Sequence, residues 1–417
     1  MKVLKIEGGH ELSGTIRISG AKNSSVALIP AAILCDEEVT ICNVPEISDT
    51  DNLCDILKSL NVEIKRASES IIINPKKMKN IEIKESLSTK LRASYYFMGA
   101  LLGKYKKAEM YFPGGCSIGA RPIDLHLKGF EALGATVQNE GNKYIVEAKE
   151  LRGASIYLDI ASVGATINIM LAAVRAKGRT IIDNAAKEPE IVNIATFLNN
   201  MGAKIRGAGT STIKIDGVEH LHKCFHEVIP DRIEAGTYVI IGALCGNELK
   251  IDNIIPEHIE SLLSKLEEIG VRIKTGSDYV IVSKKDYYKS TYVKTLVYPG
   301  FPTDLQQVLA SLMTKAKGTA TIEETIWENR FMHVPYLVEM GADIIVKNQT
   351  ATIVGPTKLK GTEVVATDLR AGAAMVAAAL VAEGTTKITN VEHILRGYEN
   401  IVEKLTNVGA KIESLEI

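Results

Sequence analysis

Two kinds of apolar pattern alternate along the chain. The first is rich in alanine and apolar on almost every side: NSSVALIPAAIL from Asn23, LRASYYFMGALL from Leu91, SVGATINIMLAAV from Ser162, EAGTYVIIGALC from Glu234, DLQQVLASLM from Asp304 and DLRAGAAMVAAAL from Asp368. A helix without a polar face has no side suited to water, so these stretches predict helices buried all round. The second kind spaces apolar residues three and four apart among charges. In HIESLLSKLEEIG from His258, for example, Ile259, Leu262, Leu263 and Leu266 share one face, which predicts an amphipathic helix lying on a core. Short β-prone stretches such as VTICNVPE, TIIDNAAKEPE and LKIDNIIPE place Asn or Asp before a turn and read as strand ends.

The alternation is periodic. LNVEI at Leu60, LGATV at Leu133, MGAKI at Met201, IGVRI at Ile269, MGADI at Met340 and VGAKI at Val408 are versions of one phrase. Aligned on Asn61, Gly134, Gly202, Gly270, Gly341 and Gly409, they are separated by 73, 68, 68, 71 and 68 residues. Six units of about seventy residues fill the chain. The recurring glycine marks a left-handed residue that ends a helix and turns into a strand, and asparagine is next best there. Each unit predicts strand, buried helix, strand, amphipathic helix and strands, and six units suit two α/β domains of three. Crossings near Ser19 to Lys22 and Ile229 to Arg232 divide them into 21–229 and 1–20 plus 230–417, with the N-terminal strand joining the second half.

Polar residues gather where the buried helices begin: Lys22 and Asn23, Arg92, Ser162, Asp231 and Arg232, Thr303 and Asp304, Asp368 and Arg370. Asp231, Thr303 and Asp368 suit caps, and Thr303 with Gln306 and Asp231 with Glu234 have capping-box spacing. Cations are another matter. Lys22, Arg92 and Arg370, with Arg121, Arg330 and Arg396 expected at second-helix starts, stand where the helix dipole repels positive charge. That placement makes sense if an anion lies between cation and helix end, bound also by backbone N–H groups.

The stretch from Pro113 to His126, PGGCSIGARPIDLH, sets the thiol of Cys116 five residues before Arg121 on a loop with Gly114, Gly115 and Gly119. Free cysteine is usually a small buried hydrophobe, but no apolar run surrounds this one. The segment therefore reads as a mobile lid carrying a reactive thiol beside a cation.

Over 417 residues, 46% are hydrophobic and 24% charged, and the net charge is -1. That balance provides no broad field for nucleic acid or an anionic membrane, so any anionic ligand must be held by placed residues. With no signal-like start, no span-length apolar run and six cysteines lacking any CxxC pair, the chain reads as cytoplasmic with reduced thiols. His220, His222, Cys224 and His226 alternate and would share a face of a strand, as metal ligands might. With no second ligand cluster, they read as strand residues and no metal site is assigned.

GAKNS at Gly20, PGGCSIGARPIDLH, SVGAT at Ser162, PDRIEAGT at Pro230, GFPTDLQ at Gly300, ENRFMHVP at Glu328, TDLRAG at Thr367 and RGYE at Arg396 together make the chain resemble, end to end, the UDP-N-acetylglucosamine 1-carboxyvinyltransferases of the EPSP synthase superfamily. The resemblance implies a two-domain inside-out α/β barrel with ligands in the interdomain cleft. It also implies enolpyruvyl transfer from phosphoenolpyruvate to the 3'-hydroxyl of UDP-N-acetylglucosamine, the first committed step of peptidoglycan synthesis, without metal or redox cofactor.

Carried over by position, Lys22, Arg121 and Arg396 clamp phosphoenolpyruvate, with Asn23 beside them and Arg370 a further member. Arg92, Arg121, Pro122, Ile123, Asp124 and Leu125 contact the nucleotide, and Ser162, Val163 and Gly164 cap it through a helix N-terminus. Asp304 and the backbone near Ile326 hold the sugar. Cys116 is the implied general acid, also able to form a covalent adduct; Asp304 is the implied base, and Lys22 completes the catalytic set. Ile160 is a departure, since some members carry a basic residue there. Two alternatives remain: the sister synthase acting on shikimate 3-phosphate, which lacks the cysteine lid, and a catalytically silent paralogue that binds the nucleotide sugar.

Overall fold

The computed structural model describes residues 2–67, 69–111 and 122–416. Its helices alternate in kind as the sequence pattern does. Six are buried along nearly their whole length: α1 (Lys22–Ala31), α3 (Tyr96–Tyr105), α5 (Val163–Ala173), α7 (Arg232–Cys245), α9 (Gln306–Met313) and α11 (Leu369–Val381). Between them come the amphipathic helices α2 (Ser48–Ser59), α4 (Asp124–Ala132), α6 (Pro189–Asn200), α8 (Glu260–Glu268), α10 (Val334–Glu339) and α12 (Ile401–Asn407). In α8 only Leu262, Leu263 and Leu266 are buried, the stripe that a 3.6-residue period predicts.

All six aligned positions adopt positive φ, from 61° at Asn61 to 105° at Gly409. Each is the second residue after an amphipathic helix. The asparagines before the strand-end turns do likewise, at 55° for Asn43 and Asn184 and 58° for Asn253. Their carboxamides donate to the carbonyls of Val228, Leu158 and Ile18, which ties each turn to a neighbouring strand.

The chain forms two compact units: residues up to 19 with those from 230 onward, and the described residues of 20–229. Among the described residues each unit has three sheets, one per repeat. In most of these sheets a short strand pairs parallel with the repeat's central strand, which then pairs with an antiparallel hairpin; Ser155–Tyr157 beside Arg179–Asp183 is an example. The chain closes both units on themselves. Phe225–Glu227 supplies the parallel strand of the first repeat's sheet, against Val39–Cys42, and Thr15–Arg17 that of the fourth, against Leu249–Asp252. Lys2–Glu7 lies between Thr385–Thr389 and Lys411–Glu416 in the sixth.

Within one unit α3 packs against both α1 and α5, and within the other α7, α9 and α11 pack together. Close approach requires small residues. A Cβ on Gly99 of α3 would lie 2.2 Å from Asn168 Oδ1 of α5, and one on Gly103 would lie 2.6 Å from the Leu171 carbonyl. The helix interfaces merge with the inner faces of the sheets into one apolar core per unit.

Three helix-start expectations are corrected. Thr303 does not cap α9: its hydroxyl donates to Glu324, and the Gln306 amide donates to the Arg330 carbonyl. Arg396 stands at the C-terminal end of the one-turn helix Glu392–Leu395, where a cation complements the dipole. The expected caps at Asp231 and Asp368 form: Asp231 Oδ1 accepts from the N–H groups of Ile233 and Glu234, and Asp368 Oδ1 from those of Arg370 and Ala371. Glu234 does not complete a capping box, because its carboxylate accepts from Ser19 N–H and Lys404 Nζ.

Candidate functional site

Cys116 and Arg121, the thiol and cation of the expected lid, lie outside the described residues. The other candidates fall into three groups, two in the 20–229 unit and one in the other.

Lys22 is the first residue of α1, whose N-terminus has no side-chain cap. Its Nζ lies 2.6 Å from Oδ2 of Asp49, a buried residue in the first turn of α2. The ammonium is thus fixed in place at a helix end, where positive charge and helix dipole together favour an anion. Asn23 follows it, half-buried.

The second group gathers three separate stretches. Arg92 opens the 3-10 turn Arg92–Tyr95, and its guanidinium carbon lies 5.9 Å from the Tyr95 ring centroid. Asp124 and Leu125 open α4, Asp124 exposed and Leu125 buried, with Pro122 exposed and Ile123 buried just before them. Ser162 caps α5, its Oγ accepting from Ala165 N–H at 3.2 Å, and Val163 and Gly164 form the first turn.

His126 joins the three. It stacks edge-on against Tyr95 at 4.9 Å, and its Nδ1 lies 3.0 Å from Asn168 Nδ2. Asn168 also donates to the Tyr95 carbonyl and accepts from Gly99 N–H. An amide nitrogen only donates, so Nδ1 is the acceptor and the imidazole proton is on Nε2. Burial, and then the Arg92 charge, push the His126 pKa down to about 3. A Cβ on Gly164 would stand 2.8 Å from the Tyr95 hydroxyl and 3.0 Å from His126 Cε1, so only glycine lets the start of α5 come this close. Ile160 nearby is 66% exposed.

In the other unit Asp304 lies in the 3-10 turn Thr303–Leu305 that leads into α9. Its Oδ1 lies 2.5 Å from Arg330 Nη2 and its Oδ2 3.4 Å from Arg370 Nη2. Arg370, buried in the first turn of α11, also donates to the Tyr398 hydroxyl at 3.2 Å. Ile326 N–H donates to Glu324 at 2.8 Å. Arg396 is half-buried, two residues before Tyr398.

Sequence reading missed His126, Asn168 and Glu324. His126 stood inside a motif already singled out, and buried Asn168 interrupts an otherwise apolar helix. Glu324 continues the inward alternation of Ala320 and Ile322, a signal that was legible. In the cluster suspected of binding metal, the two ring nitrogens of His226 meet the carboxamides of Asn193 and Asn200 at 3.0 and 3.2 Å. Among the described residues no group of three or more His, Cys, Asp or Glu is arranged to hold a metal ion, and no helix is long and apolar enough to cross a membrane.

The family model described as EPSP synthase (3-phosphoshikimate 1-carboxyvinyltransferase) matches residues 6–405. The chain is 57% identical over 412 residues to UDP-N-acetylglucosamine 1-carboxyvinyltransferase 2 of Geobacillus kaustophilus strain HTA426, covering 99% of this chain and 96% of that protein. It is 54% identical over 409 residues to the protein of the same name from Listeria monocytogenes, covering 98% and 97%. Among solved structures, the enolpyruvyl transferase NikO from Streptomyces tendae superposes with a TM-score of 0.90 at 28% identity, over 99% of this chain and 98% of that one. EPSP synthase from Acinetobacter baumannii gives 0.77 at 16% over the full length of both chains, a likeness of fold.

Proposed function

The chain belongs to the UDP-N-acetylglucosamine 1-carboxyvinyltransferases, within the EPSP synthase family, and from that premise we infer that it transfers the enolpyruvyl group of phosphoenolpyruvate to the 3'-hydroxyl of UDP-N-acetylglucosamine. The observation that carries this reading is the 57% identity to a relative of that name along 99% of the chain.

The reaction adds and then eliminates. A proton goes to the methylene carbon of phosphoenolpyruvate, and positive charge develops at C2. The sugar oxygen bonds to C2 and loses its proton. Phosphate then leaves C2 as the methyl group gives up a proton, which restores the double bond.

Cys116 is assigned to the first proton transfer and Asp304 to the hydroxyl proton. Lys22, Arg121 and Arg396, with Asn23 and Arg370, are assigned to the phosphate and carboxylate of phosphoenolpyruvate, where fixed cations offset the charge of the departing phosphate. The Asp49 carboxylate supports this role for Lys22 by holding the ammonium in place before substrate arrives. Arg92, Arg121, Pro122 to Leu125 and Ser162 to Gly164 are assigned to the nucleotide, a role supported by the packing of Tyr95, His126 and Gly164. Asp304 and Ile326 are assigned to the sugar.

A phosphate-release assay with phosphoenolpyruvate and each of two acceptors tests the reading. Turnover with UDP-N-acetylglucosamine and none with shikimate 3-phosphate is expected. Turnover confined to shikimate 3-phosphate would replace the acceptor assignment, and release with neither would leave a silent binder.

A further inference from the structure

Glu324 is 1% exposed, and both of its carboxylate oxygens accept hydrogen bonds. Oε1 accepts from Thr295 Oγ1 at 2.9 Å, Ile326 N–H at 2.8 Å and Trp327 N–H at 3.2 Å, while Oε2 accepts from Thr303 Oγ1 at 2.8 Å. A carboxylate offers about four lone-pair sites, and these four donors use both oxygens, three on Oε1 and one on Oε2. They come from three places: the segment after strand Tyr292–Lys294, the turn that bears Asp304, and the loop that bears Ile326. Thr295 is itself buried and accepts from Thr325 N–H at 2.9 Å, which fastens the same loop again. At the loop's far end Arg330 reaches Asp304, and its carbonyl accepts from Gln306. The turn and the loop are therefore bracketed by Glu324 on one side and Arg330 on the other. Thr303 gives up its cap position to complete the bracket.

We propose that Glu324 is a positioning residue that holds the Asp304 turn and the Ile326 backbone in one frame for the acceptor sugar. The proposal rests on the assignment of Asp304 and Ile326 to that sugar. Glu324 acts through these neighbours and takes no proton in the reaction. Replacing it with glutamine keeps the shape but removes the charge that strengthens these bonds and obliges the Thr303 hydroxyl to turn round and accept, so the loop and the turn are held less firmly. A shift of about 1 Å in such a frame costs up to about a hundredfold in rate. Of the residues assigned to phosphoenolpyruvate, Arg370 touches the turn through Asp304 but keeps its bond to Tyr398, so phosphoenolpyruvate is largely unaffected.

Steady-state kinetics of Glu324→Gln, Thr303→Val, Thr303→Ser and the Glu324→Gln/Thr303→Val double variant test the proposal, with melting curves to confirm that each is folded at the assay temperature. In Glu324→Gln, KM for UDP-N-acetylglucosamine rises about tenfold and kcat falls, while KM for phosphoenolpyruvate stays within about twofold. Thr303→Val lowers kcat, and Thr303→Ser, which keeps the hydroxyl, restores it. The double variant loses less than the product of the single losses, because the bond that Glu324→Gln weakens is the one that Thr303→Val removes. A purely structural role would lower the melting temperature and leave these constants alone. Unchanged constants, equal losses for both substrates, or multiplicative losses in the double variant would overturn the proposal. If Glu324→Gln fails to fold, the Thr303→Val and Thr303→Ser pair decides, and equal activity in both overturns it. A wild-type protein that releases no phosphate with UDP-N-acetylglucosamine contradicts the underlying assignment and removes the proposal with it.

Discussion

Asp304 has a guanidinium on each carboxylate oxygen, Arg330 on one and Arg370 on the other. Replacing it with asparagine keeps the shape and removes the carboxylate to which the hydroxyl proton is assigned, so Asp304→Asn is expected to lower kcat by about 10² to 10⁴-fold. Cys116→Ser is expected to show a loss of similar size while nucleotide-sugar binding, followed by calorimetry, persists. His126 yields a pH prediction with a definite sign. Its folded pKa of about 3 lies below the ordinary histidine value of 6.5, so between those values the unfolded chain binds more protons. The stability it contributes is complete above about pH 6.5 and is lost as pH falls toward 3, at up to about 1.4 kcal/mol per pH unit. Urea midpoints measured from pH 7 to 5 should fall less steeply in His126→Gln, and an unchanged slope would remove His126 from the acid response. At this scale charges were easier to read than their partners. Lys22, Arg92 and Arg370 declared themselves as cations at helix starts. Thr303 was misread because cap spacing is local, whereas the carboxylate that captures its hydroxyl is 21 residues away.

Elements were the most legible level, because a helix end is decided within a few residues. The six left-handed positions follow from one recurring phrase, and the asparagine in the first copy obeys the same backbone rule as the five glycines. Gly134 has φ of 93°, and a Cβ there would come no closer than 3.5 Å to another atom, the Glu150 carbonyl. Gly134→Ala therefore isolates the backbone cost, expected at about 1 kcal/mol in urea unfolding. Gly99→Ala is of a different kind. Its Cβ would press on Asn168 at 2.2 Å, so overpacking should cost about 2 kcal/mol or more. It should also raise KM for the nucleotide sugar, because Asn168 anchors both Tyr95 and His126. An intact KM in Gly99→Ala would separate the Asn168 network from nucleotide binding. What the pattern did not reveal is which strand completes which sheet. Phe225–Glu227 pairs with Val39–Cys42 from nearly two hundred residues away, and such pairing leaves no local period in the sequence.

Across the whole molecule six repeats yield six sheets and two cores among the described residues, and the net charge of -1 leaves anion binding to individually placed cations. Lys22 on Asp49, Arg370 between Asp304 and Tyr398, and Arg92 beside Tyr95 and His126 are placed cations of this kind. The repeat period and its helix types could be read from the sequence because burial imposes them on every copy. The partners of each cation could not, because they belong to single copies. Addition and elimination at the acceptor sugar is tested by turnover of phosphoenolpyruvate with UDP-N-acetylglucosamine in heavy water, with the product followed by proton NMR and mass spectrometry. The expected product is an enolpyruvyl ether on the 3'-oxygen, formed in step with free phosphate and carrying deuterium in its vinyl methylene. A sugar without the enolpyruvyl group, or an ether whose methylene contains no deuterium, would contradict it.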